Sequence, residues 1–543
     1  MAGAVVAAIL ALWFAGNTRL PALADANTPG SEACAPCHRE IFDSYSKTVM
    51  ARASGNAVDG LISGEFEDHI SGVAYRVYEE SGRAWMSYQR RGDQEFRGRR
   101  ELQYFIGSGV KGRTYAFSVD GYFFEAPINW YSQEHRWNMT PAYIGAREAP
   151  MNLPLLSSCL NCHASGLEPR IPRTRNRYAA SPFQHTGITC ERCHGAGDGH
   201  LAGEGTIVNP VKLSPDRRDS ICMECHFEGT VAVRQPEKHI YEFQPGDDLS
   251  DYERYFVYSG EEMQRPEALS QFEALSMSTC KRKSGDKMWC GTCHDAHREP
   301  SAAERIVYFR GKCLSCHGNA FAARHHTNDP DCVHCHMPEL PSKDVAHTQS
   351  TDHRILRNPL GQQLKPSQTD DDLRVFPASA AAKVDLRDYA LAWENLSERG
   401  VSGASEKAQR YLEKASRQRP DDPAILSILG YVEQERGHDK RAEELYERAL
   451  ELRPGRNTVS VNLGALDARS GDLRDAVHLW EQAFKRVPYR SEIGMNLALA
   501  FCTSGQTDEA RRDVLRVLEF NPDNAKAKRL WSNLNAEPVQ CKD

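Results

Sequence analysis

Residues 190–200 read CERCHGAGDGH, and the pentamer that opens this stretch, Cys-x-x-Cys-His, occurs seven times in the chain. The copies span 34–38, 159–163, 190–194, 222–226, 290–294, 313–317 and 332–336. They use fourteen of the 17 cysteines: Cys34, Cys37, Cys159, Cys162, Cys190, Cys193, Cys222, Cys225, Cys290, Cys293, Cys313, Cys316, Cys332 and Cys335. A disulfide framework predicts no fixed residue after each pair. A zinc half-site does not need His directly after the second cysteine in every copy, and a dithiol oxidoreductase needs one motif rather than seven. Two thiols separated by two residues reach the two vinyl groups of one porphyrin as thioethers, which holds the adjacent His under the iron. The pattern therefore predicts seven haem c groups, with His38, His163, His194, His226, His294, His317 and His336 as proximal iron ligands.

The residue at the sixth position of each iron separates an electron carrier from an enzyme. Eleven further histidines precede residue 385: His69, His135, His185, His200, His239, His297, His325, His326, His334, His347 and His353. They are numerous enough to make every haem bis-histidine, and the distal candidates are His185, His200, His297, His326, His347 and His353. His200 follows the third motif, His297 follows the fifth in CGTCHDAH, and His347 and His353 trail the seventh. After the first motif no His appears until His69, and Met50 stands where a distal ligand is expected. Two readings of Met50 stand side by side: a thioether ligand that raises the potential, or packing on an amphipathic helix. Cys280 belongs to no motif. It is either a thiolate ligand near the fifth haem, or a buried thiol or disulfide partner of a spare cysteine, Cys502 or Cys541.

The flanking residues carry a resemblance. CERCHG with its Gly-rich turn and His200, CGTCHDAH, and CVHCHMP with a downstream DHRI resemble the tetrahaem cytochromes c that accept electrons from hydroxylamine oxidoreductase, and in patches the pentahaem nitrite reductases. The resemblance covers roughly residues 30 to 356 and implies mostly bis-histidine haems packed in parallel and perpendicular pairs. This chain has seven motifs rather than four or five, and it lacks the Cys-x-x-Cys-Lys catalytic motif of the common nitrite reductases.

The 543 residues exceed what one hydrophobic core serves, so several domains are expected. A net charge of -7 excludes the global basicity of a nucleic-acid binder. Residues 1–24 read as a signal peptide: an apolar run from Ala2 to Gly16, then Ala22-Leu23-Ala24, with no Lys or Arg before the run. The run is shorter than the roughly 20 residues of a membrane span. Residues 25–357 form the expected seven-haem domain, and a β-rich insert is expected at about 60–150, where VAYRVYEE, AWMSYQR and TYAFSVD are rich in aromatic and β-branched residues. The arginines at 170, 173, 175 and 177 read as a solvated loop, as neighbours of a haem propionate or as a docking patch for an acidic redox partner.

Residues 358–384, polar and with three consecutive Asp, read as a linker. From 385 to 535 the period becomes 34: Pro420, Pro454, Pro488 and Pro522 are so spaced, as are Ala408, Ala442, Ala476 and Ala510. This is the tetratricopeptide pattern of paired helices packed through small residues. Leu429-Gly430 and Leu463-Gly464 fill first-helix positions, while Tyr446 and Trp480 fill the large second-helix position. The expected fold is thus mostly α: a multihaem cytochrome domain with little regular structure and a β-rich insert, then an α-solenoid. The expected role is electron transfer along the haem array of a periplasmic or otherwise exported protein, with the repeats recruiting a redox partner. The competing roles are oxidation or reduction of a small nitrogen or sulfur compound at one open haem, and repeats that buttress the haem domain or mediate self-association.

Overall fold

The computed structural model describes residues 29–259, 270–323, 329–339, 351–357 and 372–542. The expected signal peptide, His325, His326 and His347, and residues 358–371 of the expected linker lie outside these.

The first third is a β structure. Val73, Tyr75 and Val77 alternate inward along strand β3 (Val73–Glu80), and Ala84, Met86 and Tyr88 do so along β4 (Arg83–Arg90), so a period of two buries one face. Ser81 and Gly82 join them with φ of 54° and 72°, the geometry that makes a two-residue turn follow the strand twist. With β2 (Gly64–Asp68) and β5 (Asp93–Leu102) they form a four-stranded antiparallel sheet in the order β2-β3-β4-β5. A second sheet takes β1 (Ser54–Asn56), β6 (Tyr104–Ile106), β7 (Gly112–Val119), β9 (Ile128–Tyr131) and β10 (Arg136–Met139) in the order β1-β6-β7-β9-β10, with β8 (Tyr122–Glu125) also on β7. Further on, β11 (Ala164–Leu167) pairs β12 (Phe183–Thr186).

The first Cys-x-x-Cys-His motif precedes these strands and the others follow the insert, most on short helical turns, the fourth ending the helix Pro215–His226 and the sixth within Arg305–Ala323. Among the described residues ten of fifteen strands lie between residues 54 and 139, so these residues are strand-rich early and helical late rather than mostly helical throughout. No helix among the described residues is long and apolar enough to cross a membrane.

The expected linker is partly ordered. Leu373–Phe376 is strand β15 and pairs with β14 (Glu253–Tyr258), which pairs with β13 (Val231–Arg234). Leu373, Val375 and Phe376 are buried there, which four residues after an acidic run did not announce.

Nine helices follow: α1 (Leu386–Glu398), α2 (Ala404–Gln418), α3 (Pro423–Glu435), α4 (Asp439–Leu452), α5 (Asn457–Ser470), α6 (Leu473–Arg486), α7 (Ser491–Thr503), α8 (Thr507–Phe520) and α9 (Ala525–Leu534). Their pairing follows from the small residues. Ala408, Ala442, Ala476 and Ala510 are all buried, and a Cβ on Gly430 would lie 2.6 Å from Tyr446 and one on Gly464 2.7 Å from Trp480. Glycine at these two sites lets the large ring of one helix seat on the backbone of its partner. The 34-spaced prolines stand just past the ends of α2, α4, α6 and α8.

The repeats are held to the first half at both ends. Trp393 and Leu396 of α1 join Val231, Val233 and Phe256 in one apolar cluster on the three-stranded sheet. At the far end Tyr122 and Phe124 meet Phe520 and Tyr489 edge-on, with centroids 5.5–6.0 Å apart. There Arg90 bonds Asp523 at 2.8 Å and Arg516 bonds Asp120 at 2.6 Å. Cys502 and Cys541 form a disulfide that ties the tail to α7.

Candidate functional site

Each motif places its three reactive side chains by closing one helical turn. The N–H groups of His38, His194 and His294 donate to the carbonyls of Cys34, Cys190 and Cys290 at 2.9, 3.0 and 2.9 Å. Positions i, i+3 and i+4 of a helical turn share a face, so both thiols and the imidazole point the same way. The second, fourth, fifth, sixth and seventh motifs all contribute Cys and His side chains to one cavity of about 1720 Å³. That volume exceeds the roughly 300–1,000 Å³ of a single small-molecule site. Arg298, Arg305, Arg310 and Lys312 line it too, the charge that carboxylate-bearing macrocycles require.

Three histidine pairs face each other across gaps of one kind. His38 and His200 have ring centroids 6.5 Å apart and planes 23° apart. For His194 and His297 the values are 6.0 Å and 10°, and for His294 and His353 they are 6.3 Å and 26°. Two imidazoles on opposite sides of one metal, each bound at about 2.0 Å, place their centroids about 6 Å apart. The ring nitrogens are oriented for this. The Nδ1–H of His194 donates to the Val208 carbonyl at 2.8 Å, that of His336 to Leu356 at 2.7 Å, and that of His353 to Thr351 at 2.9 Å. In this tautomer Nε2 presents a lone pair. Burial, then the neighbouring His353, lowers the pKa of His294 to about 4, and burial lowers those of His226, His297 and His353, so these imidazoles are neutral at physiological pH. Neutral imidazole is the form a metal takes up. The residues present fit haem c.

The motifs also touch one another through their inner residues. Asn161 of the second motif donates to Glu224 of the fourth at 3.0 Å, and Arg192 of the third bonds Glu224 and the Asn161 carbonyl. Glu224 has only 1% of its side chain exposed. Burial pushes its carboxyl up to about 7, against the pull of Arg192 and Asn161. The thiols of Cys34 and Cys190, Cys162 and Cys225, Cys222 and Cys290, and Cys313 and Cys332 are close enough to hydrogen-bond. First therefore adjoins third, second adjoins fourth, fourth adjoins fifth, and sixth adjoins seventh.

The structure gives a pairing that the sequence left open. His200, which follows the third motif, faces the first; His297, which follows the fifth, faces the third; and His353, which trails the seventh, faces the fifth. Met50 does not stand opposite His38, which faces His200; its carbonyl accepts from Ile188 at 3.0 Å and it lines the cavity with His163. His185 stands on β12 against Gly30. Cys280 has no spare cysteine to pair with, because Cys502 and Cys541 take each other. It lines the cavity, and burial, then Cys316, raises its pKa. The Arg192–Glu224–Asn161 knot was not anticipated, although its sequence signal is present: the x positions of three motifs carry complementary polar residues.

Comparison with known proteins finds two family matches. Residues 130–195 match the family Cytochrome c554 and c-prime, and residues 401–457 and 462–525 match the tetratricopeptide repeat. The two matches support a cytochrome c region, with covalently bound haem c, fused to tetratricopeptide repeats. No curated protein matches the chain. Among solved structures, "MamA 41-end from Desulfovibrio magneticus RS-1" is similar at 23% identity over 28% of this chain and 88% of its own, with a TM-score of 0.25. "YrrB: a TPR protein with an unusual peptide-binding site" is similar at 19% identity over 28% of this chain and 78% of its own, with a TM-score of 0.25.

Proposed function

We propose that this protein is an exported seven-haem c-type cytochrome that passes electrons along its haem array, with the repeats serving protein docking. The reading rests chiefly on the three facing histidine pairs, each joining a motif histidine to one outside the motifs and spaced for a metal between them. Under it, His38 with His200, His194 with His297 and His294 with His353 hold three irons, and the fourteen motif cysteines anchor seven haems. Bound haem c supplies one-electron exchange at iron. The chain's part is to fix the imidazoles of His194, His336 and His353 by their Nδ1 hydrogen bonds, which also raise their basicity as ligands. Adjoining motifs keep successive groups close enough for electrons to hop. The Cys502–Cys541 disulfide and the covalent haem motifs both suit an oxidising, extracytoplasmic compartment such as the periplasm.

The test is haem content per chain together with electron paramagnetic resonance of the oxidised, full-length protein. Seven haems, all low-spin, are expected. A stoichiometric high-spin haem that binds nitrite, hydroxylamine or sulfite would replace this reading with an oxidoreductase acting at one open iron.

A further inference from the structure

Seven arginines from separate segments converge along the seam between the repeats and the haem-bearing half. Arg170, Arg173 and Arg175 lie in the loop before β12, and Arg234 ends β13. Arg453 and Arg456 flank the Pro454-Gly455 turn between α4 and α5, and Arg486 ends α6. Side-chain contacts join part of the group. Arg170 donates to the Tyr241 hydroxyl at 3.3 Å, Tyr241 stacks on His239 with centroids 4.9 Å apart, and Arg234 lies 3.3 Å from His239 Nδ1. Arg486 lies against Gly455, where a Cβ would be 3.2 Å from its Nη1. Arg453 and Arg175 are within electrostatic reach of Arg234, Arg453 and Arg234 of Arg456, and Arg173 of Arg486.

Like charges drawn together oppose the contact between the two halves. Yet among the described residues none of the seven forms an ion pair with a carboxylate; their side chains bond only to the Arg175 carbonyl, Tyr241, His239 and Asn457. The carboxylates facing the cluster are engaged elsewhere. Asp422 accepts from Arg387 at 2.6 Å and caps α3, Glu253 accepts from the Tyr255 hydroxyl at 3.0 Å, and Glu242 accepts from the His239 N–H at 2.9 Å. None of the seven lines the haem cavity. All are at least partly open to solvent, so a ligand can reach them. Ile240–Glu242 packs on Ser157–Asn161, the turn that carries the second motif.

We propose that this arginine cluster docks an acidic segment of a partner protein, whose carboxylates are taken by guanidinium groups from both halves beside the second haem motif. A planar guanidinium matches a carboxylate with two parallel hydrogen bonds. The charges extend over two successive repeats and a loop of the haem half, further than one small oxyanion reaches. That the partner is a redox protein rests on the electron-transfer reading; the docking itself does not.

The experiment is fluorescence anisotropy of a labelled oligoglutamate peptide with haem-loaded, full-length protein at low salt. The variant Arg453→Gln/Arg456→Gln/Arg486→Gln is expected to bind about tenfold more weakly, three lost charge pairs at a modest contribution each. Wild-type affinity is expected to fall with added salt. The variant Arg448→Gln/Arg512→Gln, whose arginines already pair with Asp421 and Glu509, is expected to bind as wild type. Absence of binding to wild type, equal binding by the triple variant, or inorganic phosphate displacing the peptide at the peptide's own affinity would overturn the proposal. Haem content and spin state read on the same samples separate its failure from failure of the electron-transfer reading.

Discussion

His353 lies between Asp352 and Arg354, a buried ion pair 0% and 1% exposed, with the Asp352 carboxylate accepting from Arg354 at 2.6 Å. Such a pair contributes little net stability, but its geometry aims the imidazole between them at His294. On the proposed ligation, His353→Ala leaves haem content unchanged, because Cys290 and Cys293 make the thioethers. It converts one haem from low to high spin, which electron paramagnetic resonance reads. Met50→Leu changes no spin state, since His200 already faces His38. A second prediction concerns the knot between motifs. Glu224→Ala leaves Arg192 buried without its carboxylate and should cost about 3–5 kcal/mol, measured as a lowered thermal midpoint. The fourteen motif cysteines and the seven histidines that follow them were legible as candidates because that chemistry is specified within five residues. Distal candidates such as His200 could be named, but which motif each faces could not, because His38 and His200 become neighbours only through folding.

At the scale of the element, the strands of the insert announced themselves where one face is buried, as in VAYRVYEE, and the repeats did so through their period. Strand β15 did not: four residues cannot display a period, and its burial comes from β14, far away in sequence. The glycines of the repeats give the third prediction. Gly464→Ala would set a Cβ 2.7 Å from the Trp480 ring nitrogen, which itself donates to the Val461 carbonyl at 3.1 Å. A ring pinned on both sides cannot yield without a shift of the helix, so a loss of about 1–3 kcal/mol is expected in chemical denaturation.

Across the whole molecule, the solenoid acts as a strap docked at both ends. The end at the β insert is sensitive to acid. Burial pushes the carboxyls of Asp120 and Asp523 up, but Arg516 and Arg177 at the first, and Arg90, the Ala149 N–H and Lys528 at the second, outweigh it and hold both below the usual range. A depressed folded pKa contributes stability above the unfolded value of about 3.9, and that contribution is lost as the pH falls through the folded value. Hydrogen exchange at α8 and α9 is therefore expected to accelerate below about pH 4 before exchange at α4 does, and Asp523→Asn should weaken this end already at pH 7.

The sequence by itself determined what is local or periodic: seven Cys-x-x-Cys-His pentamers with the residues that covalent haem c requires, and a solenoid specified by a 34-residue repeat of small and large side chains. Only the tertiary structure decided which imidazole faces which, how Arg192, Glu224 and Asn161 join three motifs, and where arginines of both halves meet. These are contacts between residues far apart in the chain, set by how the insert, the motif turns and the solenoid pack, and packing of that kind leaves no period or spacing in the sequence to read.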